Sequence, residues 1–264
     1  MVVQMGAQYL SGLQGNLPFV IQDTAAAATW VAENATASES NMTTSVKTLT
    51  PNRLAAYTKL SKRLLKQSSI DVEALVRNDL IQAQATALDI AAINGSGSSN
   101  QPTGILNTSG IGSVAGGTNG AAPDFADLVD LESALANANA DQGALGYLTN
   151  SKVRGKLKKS TLDSGSGLFV WDRLTANELN GYPVGVSNNV PSNLTKGSGT
   201  ALSAVIFGNW NDLVIGQFGG AMDLVVDPYT SAKEDIVNII SSNDFDVMVK
   251  RPESFAAMVD AITT

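Results

Sequence analysis

The sequence predicts an α+β fold, and three observations support this class. Apolar residues recur at helical spacing from Val72 to Ile90, and the pattern holds to Ile93. Short apolar or alternating runs, typical of strands, fill the second half of the chain. Helical patterns interrupt these strands without alternating regularly with them. This order of elements is typical of an α+β fold.

Composition excludes several classes of protein. The 264 residues include no histidine and no cysteine. This removes histidine-based triads, thiol nucleophiles, disulfides and His or Cys metal sites. The net charge of −7 and the isoelectric point of about 4.6 argue against a protein that grips nucleic acid. No apolar stretch reaches the length of about eighteen residues that a membrane helix needs, and no secretory signal opens the chain.

The first fifty residues predict an arm followed by a long hairpin. Residues 1–22 carry no charged side chain and several glycines, which predicts an extended arm lying on its own body or on a neighbour. Strands predicted at 29–31 and 46–49 enclose a solvated segment, residues 32–45. At about 3.3 Å per residue this hairpin would reach roughly 30 Å from the body. Trp30, at its root, is either a buried anchor or an intersubunit contact.

Local signals predict the remaining elements. Ser68 is the expected N-cap of the long helix, which should end at Asn94-Gly95. Residues 96–123 are rich in glycine and predict a flexible surface loop. Asp124 and Asn150 should begin a second helix and a short basic helix. An Asn180-Gly181 hairpin turn is also expected. Strands are predicted at 144–148, 203–207, 213–215, 223–226, 236–240 and 245–249.

For every candidate chemical site in the sequence, a purely structural role is the favoured interpretation. The run Gly110-x-Gly112-x-x-x-Gly116 misses the dinucleotide fingerprint by one residue and follows a loop. The lysines and arginine of the basic helix are typical of a solvated face. Asp244 and Asp246 could bind a cation, but a soluble strand edge is the favoured interpretation. The sequence therefore predicts no catalytic residue, no cofactor and no metal.

The predicted elements together are typical of a shell subunit. They are an apolar arm, a projecting hairpin, a long helix and a glycine-rich loop leading into a mixed lobe. Runs spread in order along nearly the whole chain resemble tailed-phage major capsid proteins of the Hong Kong 97 type. They are Trp30-Val31-Ala32-Glu33, the run from Leu49 to Tyr57, Ser61-Lys62-Arg63-Leu64-Leu65, Gln67-Ser68-Ser69, Gly95-Ser96-Gly97, the run from Asn100 to Ile105, the run from Gly143 to Leu148, Asn180-Gly181-Tyr182-Pro183, Phe207-Gly208-Asn209-Trp210, Val226-Asp227-Pro228-Tyr229 and the run from Arg251 to Phe255.

The resemblance implies a division of the chain into named parts. These are an N-terminal arm at 1–22, an extended E-loop at 23–50, a peripheral (P) domain with a long spine helix at 51–99, an axial (A) domain at 100–220, P-domain strands at 221–251 and an A-domain C-terminal segment at 252–264. In such shells the E-loop lies over a neighbouring subunit and the arm runs beneath another. Both segments would then bury their surface only in the assembly.

The same resemblance implies a structural protein and not an enzyme. It would be the major capsid subunit of a tailed bacteriophage or prophage, forming the hexamers and pentamers of the virion head in the bacterial cytoplasm. The implied partners are further copies of itself, a portal, a scaffold or maturation protease, cement proteins, and packaged DNA held non-specifically. Two alternatives remain: an encapsulin-like bacterial compartment that encloses a cargo enzyme, and an enzyme of unknown type.

Candidate intersubunit contacts follow from this interpretation. On the E-loop they are Trp30, Glu33, Asn34 and Glu39. Around the local threefold we expect the turn from Tyr229 to Asp235, which also contains Lys233 and Glu234, to meet Lys62 or Arg63 of a neighbour.

Two departures from the family pattern matter. Members that weld their subunits by an isopeptide bond carry a lysine where Asn34 stands and an acid near the position of Ser242. We therefore expect a shell held by noncovalent contacts or by cement proteins. Family chains also usually have more arm before the position of Met1, which predicts a longer precursor or a processed form.

Overall fold

The described part of the chain forms two β-sheets and one separate β-hairpin, together with helices, which confirms the α+β class. The computed structural model describes residues 1–24, 26–67, 72–162, 167–172 and 177–263. The helices are α1 (Val2–Met5), α2 (Lys62–Gln67), α3 (Val72–Asn94), α4 (Phe125–Asn137) and α5 (Ser151–Leu157). The strands are β1 (Gln8–Leu13), β2 (Leu17–Thr24), β3 (Thr43–Leu49), β4 (Asn52–Ser61), β5 (Gly112–Ser113), β6 (Leu145–Thr149), β7 (Glu178–Leu179), β8 (Tyr182–Val186), β9 (Leu194–Lys196), β10 (Gly199–Asn209), β11 (Leu213–Asp227), β12 (Ile236–Val249) and β13 (Phe255–Ala261).

The first sheet carries the long helix on one face. Its strand order is β1-β11-β12-β4, with β1 parallel to β11 and the other pairs antiparallel. Leu80 of α3 packs against Leu60, Val237 and Ile239, which all point to that inner face. Gln84 also reaches it, with Nε2 3.0 Å from Ser241 Oγ. Among the helices of the described residues, α3 packs on this inner face, and we call the opposite face of the sheet its outer face.

The second sheet forms the other lobe and has the order β5-β13-β10-β6-β8-β7, with β9 pairing to β10. Helix α4 packs on it through leucines that share a buried cluster with Tyr147 and Phe207. Asp124 caps α4, because its carboxylate accepts from Asp127 N–H at 2.9 Å and Asp127 accepts from Asp124 N–H at 3.1 Å. The expected helix start is therefore confirmed, whereas Ser68 lies outside the described residues.

The E-loop hairpin begins earlier than the sequence predicted. Strand β2 pairs antiparallel with β3, and Val20 lies opposite Val46. Residues 29–31, expected as a strand, are irregular instead. The first strand begins inside the range assigned to the arm because Gly15, which lies between β1 and β2, adopts a left-handed φ of 66° that allows the chain to turn there.

The first thirteen residues fold onto their own subunit. Val2 is fully buried, and strand β1 hydrogen-bonds to β11 of the same chain. Met5 lies against Gly146 and Gly185, where an added Cβ would come within 2.8 Å of the methionine. The Met1 ammonium lies 2.7 Å from Asp89 of α3. The expectation that this part of the arm finds its packing partners only on sister copies is therefore wrong.

Two further expectations are corrected by long-range pairing. The strands predicted at 213–215 and 223–226 form one strand, β11, as do those at 236–240 and 245–249, which form β12. An irregularity between Phe218 and Asp223 lets the β11–β12 ladder continue. The glycine-rich loop is held in place: Gly116 N–H donates to the buried Asp260 carboxylate, and Ala121 bridges to Ala261. Neither the ordered conformation of this loop nor strand β13 was predicted.

Candidate functional site

The end of the E-loop hairpin is a fully exposed segment, which we call the distal segment, residues 26–42. Every one of these residues is exposed on the subunit. Trp30 has a relative exposure of 104%, so it is no buried anchor of its own chain. Asn34 takes a left-handed φ of 64° in a turn closed by Ala35 N–H and Ala32 O at 3.0 Å. An indole presented in this way lacks the packing that normally accompanies a tryptophan.

The two acidic candidates lie on the same segment. Glu33 is exposed within the turn, and Glu39 is exposed and accepts a hydrogen bond from Asn41 Nδ2 at 3.0 Å. Trp30, Glu33, Asn34 and Glu39 therefore share one projection. It has an apolar side chain near its start and negative charge beyond it.

The root of the hairpin is well packed, in contrast to its end. Leu49 is fully buried in a cluster with Val214, Phe218 and Met248, and residues of β1 and β2 cover the edge of that cluster. Met248 belongs to the outer face of the first sheet, so the hairpin root covers one end of that face. The hairpin is therefore anchored at its base and free beyond it.

Asp246 joins the root to the first sheet. Its carboxylate accepts from Thr50 N–H at 2.7 Å, Asn52 Nδ2 at 3.2 Å and Val247 N–H at 2.9 Å. Burial raises the pKa of the Asp246 carboxyl above its ordinary value, although those hydrogen bonds act to lower it. The expectation of a solvated strand-edge residue is wrong here, because β12 is an inner strand and the hairpin root covers Asp246.

The rest of the outer face is open and carries an apolar row that sequence reasoning missed. Tyr57 of β4, Ile240 of β12 and Val225 of β11 lie opposite one another across three strands. Tyr57 is 54% exposed and Val225 46% exposed. The available signal was that Tyr57 shares one face of β4 with Arg53, Ala55 and Lys59. The sequence does not show whether this face or the opposite one is covered by α3. We call the row formed by Tyr57, Ile240 and Val225 the outer row.

The remaining candidate contacts lie together at one corner of the same sheet. Ser61 pairs with Ile236, which places Lys62 and Arg63 beside the turn between β11 and β12. Lys62 N–H donates to Asp235 O at 2.9 Å within one subunit. We call Lys62, Arg63 and the turn from Tyr229 to Asp235 the charged corner. Among the ion pairs found in the described ranges, none joins its basic side chains to its acidic ones.

The turn at this corner presents Tyr229, which is 84% exposed. Asp227 fixes the turn by accepting hydrogen bonds from the Thr230 hydroxyl and from the N–H groups of Tyr229 and Thr230, and these bonds lower the pKa of its carboxyl. Asp235 adopts a left-handed φ of 56° at the end of the turn. Lys233 and Glu234 are exposed within it. A pre-organised turn loses little entropy when it binds a partner.

The structure offers no built site for chemistry in the part that it describes. Across those residues no cluster of three or more Asp or Glu side chains is arranged to hold a metal ion. No described helix combines the length and apolarity needed to cross a membrane. Ser242 is buried, and its hydroxyl accepts a hydrogen bond from the Arg53 guanidinium at 3.1 Å.

Known proteins with similar sequences carry the name of a capsid protein. A major capsid protein of Halomonas phage phiHAP-1 is 32% identical over 252 residues, which are 96% of this chain and 39% of that protein. A major capsid protein of Klebsiella oxytoca phage phiKO2 is 26% identical over 228 residues, covering 83% of this chain and 51% of that protein. The chain thus spans about half or less of the length of these curated relatives.

Solved structures share the fold. The capsid of a native GTA particle, computed with C5 symmetry, matches with a TM-score of 0.78 and 24% identity over 99% of this chain and 90% of that chain. A structure from Microbacterium phage Oxtober96 matches with a TM-score of 0.74 and 14% identity, over 98% of this chain and 90% of that chain. At these identities the similarity shows a common Hong Kong 97-type fold. The sequence model of the Phage capsid family matches residues 1–260, and the chain therefore belongs to that family.

Proposed function

We propose that this chain is a major capsid subunit that assembles with copies of itself into the hexamers and pentamers of a phage head. The observation that carries the proposal is the distal segment, which has Trp30 fully exposed and no packing on its own subunit. Buried apolar area drives stable protein association, and an uncovered aromatic anchor is the feature that a repeated interface would use. The capsid names of the relatives favour a phage head over an encapsulin-like compartment.

The outer row is the surface that best suits the distal segment of a second copy. The hairpin root already covers one end of the outer face, so a neighbour's segment would continue the same layer. Tyr57 and Val225 offer exposed apolar surface for Trp30. Arg53 and Lys59, exposed on the same face, have charges opposite to those of Glu33 and Glu39. Because the donor and acceptor surfaces differ, the contact is head-to-tail, which is the type of contact that forms rings when the rotation between copies closes.

The charged corner supplies a second contact, around the local threefold. Basic and acidic side chains of each subunit lie side by side there, so three copies meeting at this corner would place unlike charges next to one another. Single exposed ion pairs contribute about 0–1 kcal/mol. Their effect becomes large only because a shell repeats each pair in every subunit.

The proposal also includes the division of the chain into domains, the place of assembly and the other partners. We divide the chain into the arm, E-loop, P-domain and A-domain ranges given above, with assembly in the bacterial cytoplasm. A portal, a scaffold or maturation protease and cement proteins act as partners, and packaged DNA is enclosed without specific binding. Asn34 and Ser242 provide neither the lysine nor the acid of an isopeptide bond, which supports a shell held by noncovalent contacts and a structural role without enzyme activity.

Electron microscopy of the purified chain and its Trp30→Ala variant tests the proposal. We expect closed shells from the parent chain and dispersed subunits or capsomers from Trp30→Ala at the same protein concentration. Leu75→Ala, which truncates a side chain that is 63% exposed on α3, is the matched control and should still form shells. Closed shells from Trp30→Ala would remove the main support for the proposed contact. A parent chain found only as monomers would contradict self-assembly itself.

A further inference from the structure

The E-loop hairpin has two connections to the body, and they differ in stiffness. The first is the residue run 14–16, where Gly15 has a left-handed φ of 66° and open space where a Cβ would stand. The second is Thr50-Pro51, in which the proline fixes its own φ and restricts the residue before it. The direction of the hairpin is therefore determined on the Thr50 side.

Two polar contacts hold that side. Asp246 binds the backbone of Thr50 and the side chain of Asn52, one residue on each side of Pro51. From the hairpin itself, Lys47 Nζ donates to Val249 O at 3.0 Å and Lys250 O at 3.3 Å. We call these contacts of Asp246 and Lys47 the root clamp. It joins the end of β3 and the start of β4 to the last residues of β12.

Little else restrains the hairpin beyond the clamp. Val20 and Val46 are 73% and 61% exposed. An open cleft of about 1310 Å³ separates β2 and β3 from the loop that contains Ser109. From Leu49 to Thr43 the strand extends about 20 Å, so a rotation of about 10° at the root displaces its far end by about 3–4 Å.

We propose that Asp246 is the positioning residue that sets the direction of the E-loop hairpin, acting through Thr50 and Asn52. The apolar cluster around Leu49 holds the root in place but is not directional, whereas hydrogen bonds to one carboxylate fix an angle. The role concerns the single subunit and stands independently of the proposed shell.

The absence of cysteine from the sequence makes a distance measurement direct. Thr44→Cys on the hairpin and Ser109→Cys across the cleft carry spin labels, and labelled chains are diluted with unlabelled chains to suppress distances between subunits. We expect the distance distribution of the parent to shift or broaden by about 3–4 Å when Asp246→Ala is added. Asp244→Ala, the same change two residues away on β12, should leave the distribution as in the parent.

The melting transition is recorded for each variant, because Asp246→Ala could also lower the stability of the subunit. If Asp246→Ala does not fold, Asn52→Ala combined with Lys47→Met removes the side-chain partners of the root clamp and leaves only the bond from Thr50 N–H to Asp246. This double variant should shift or broaden the distribution in the same way but by less. An unchanged distribution in a folded Asp246→Ala chain would overturn the proposal. So would an unchanged distribution in the double variant where Asp246→Ala does not fold.

Discussion

Lys196 Nζ lies 2.6 Å from Asp260 Oδ2, and the Asp260 side chain is fully buried while that of Lys196 is 35% exposed. The same carboxylate accepts from Gly116 N–H at 3.0 and 3.2 Å. One charged group thus ties the glycine-rich loop, strand β9 and strand β13 together. A buried carboxylate is tolerated only when its partners remain in place.

The first prediction concerns this ion pair. Lys196→Met leaves the Asp260 carboxylate buried with only backbone donors, so we expect a loss of about 2–4 kcal/mol in the free energy of unfolding. Lys152→Met, on the exposed face of α5, should change it by less than about 0.5 kcal/mol. Urea unfolding of the unassembled subunit measures both values. Equal stability of the two variants would show that the pair does not hold the loop.

The second prediction compares two glycines. At Gly104 an added Cβ would lie 2.4 Å from Gly95 N and 2.7 Å from Asn94 N, at the end of α3. Gly104→Ala should therefore cost about 1–3 kcal/mol. Gly155 lies within α5 with no heavy atom within 4 Å of the added Cβ, so Gly155→Ala should raise stability by about 0.5–1 kcal/mol. Thermal melting gives the sign for each, and a shift in the same direction for both would contradict the prediction.

The third prediction tests the outer row. Val225→Asp places a charge on the proposed docking surface at an exposed strand position, where its cost to the subunit is about 1 kcal/mol or less. We expect the variant to fold and to form no closed shells. Leu75→Asp, an equal change on the exposed face of α3, should assemble. Sedimentation and electron microscopy distinguish the outcomes, and shells from Val225→Asp would exclude this surface as the docking site.

The fourth prediction concerns the charged corner. Reversal of Lys62 and Arg63 to glutamate, or of Glu234 and Asp235 to lysine, should each abolish assembly through repulsion between subunits. Combining both reversals should restore it, since the attraction is then re-established with opposite signs. Unfolding of the unassembled single-side variants checks that the loss arises between subunits and not within one. Failure of the combined variant to assemble would count against this contact.

The fifth prediction is a pH dependence of stability. Burial raises the pKa of Asp246 in the folded state above its unfolded value. The stability contributed by this group is therefore fully present below the unfolded-state pKa and is lost as pH rises through the folded-state pKa. Asp246→Asn cannot ionise, so its free energy of unfolding should fall less than that of the parent over that window. Urea unfolding at several pH values measures this, and parallel curves would contradict it.

Helices and turns that are fixed by residues close together in the sequence could be predicted. Asn150 accepts from Val153 N–H at 2.9 Å, three residues along the chain, and Asn180 and Gly181 adopt the φ values of 51° and 80° that their turn requires. Such features depend on residues only a few positions apart, so the sequence shows them directly. The exposure of Trp30 also agrees with one of its two sequence interpretations.

Elements defined by distant partners were not predictable. Strand β2 was not predicted, although Leu17, Phe19 and Ile21 stand at every second position, because its partner β3 is separated from it in the sequence by the whole distal segment. The role of Asp246 depends on Thr50, which lies 196 residues earlier in the chain. A single sequence shows residue types and spacings, but it does not show which distant strands meet.

The pairing of β1 with β11, and of β4 with β12, has a consequence for synthesis of the protein. Gln8 pairs with Val214 and Ser61 pairs with Ile236, so β1 and β4 wait for partner strands that are synthesised much later. At ribosomal speeds of about 5–20 residues per second, the strands stay unpaired for roughly 10–40 s. Nascent chains on one polysome would expose these unpaired strand edges to each other, which raises the risk of aggregation during translation.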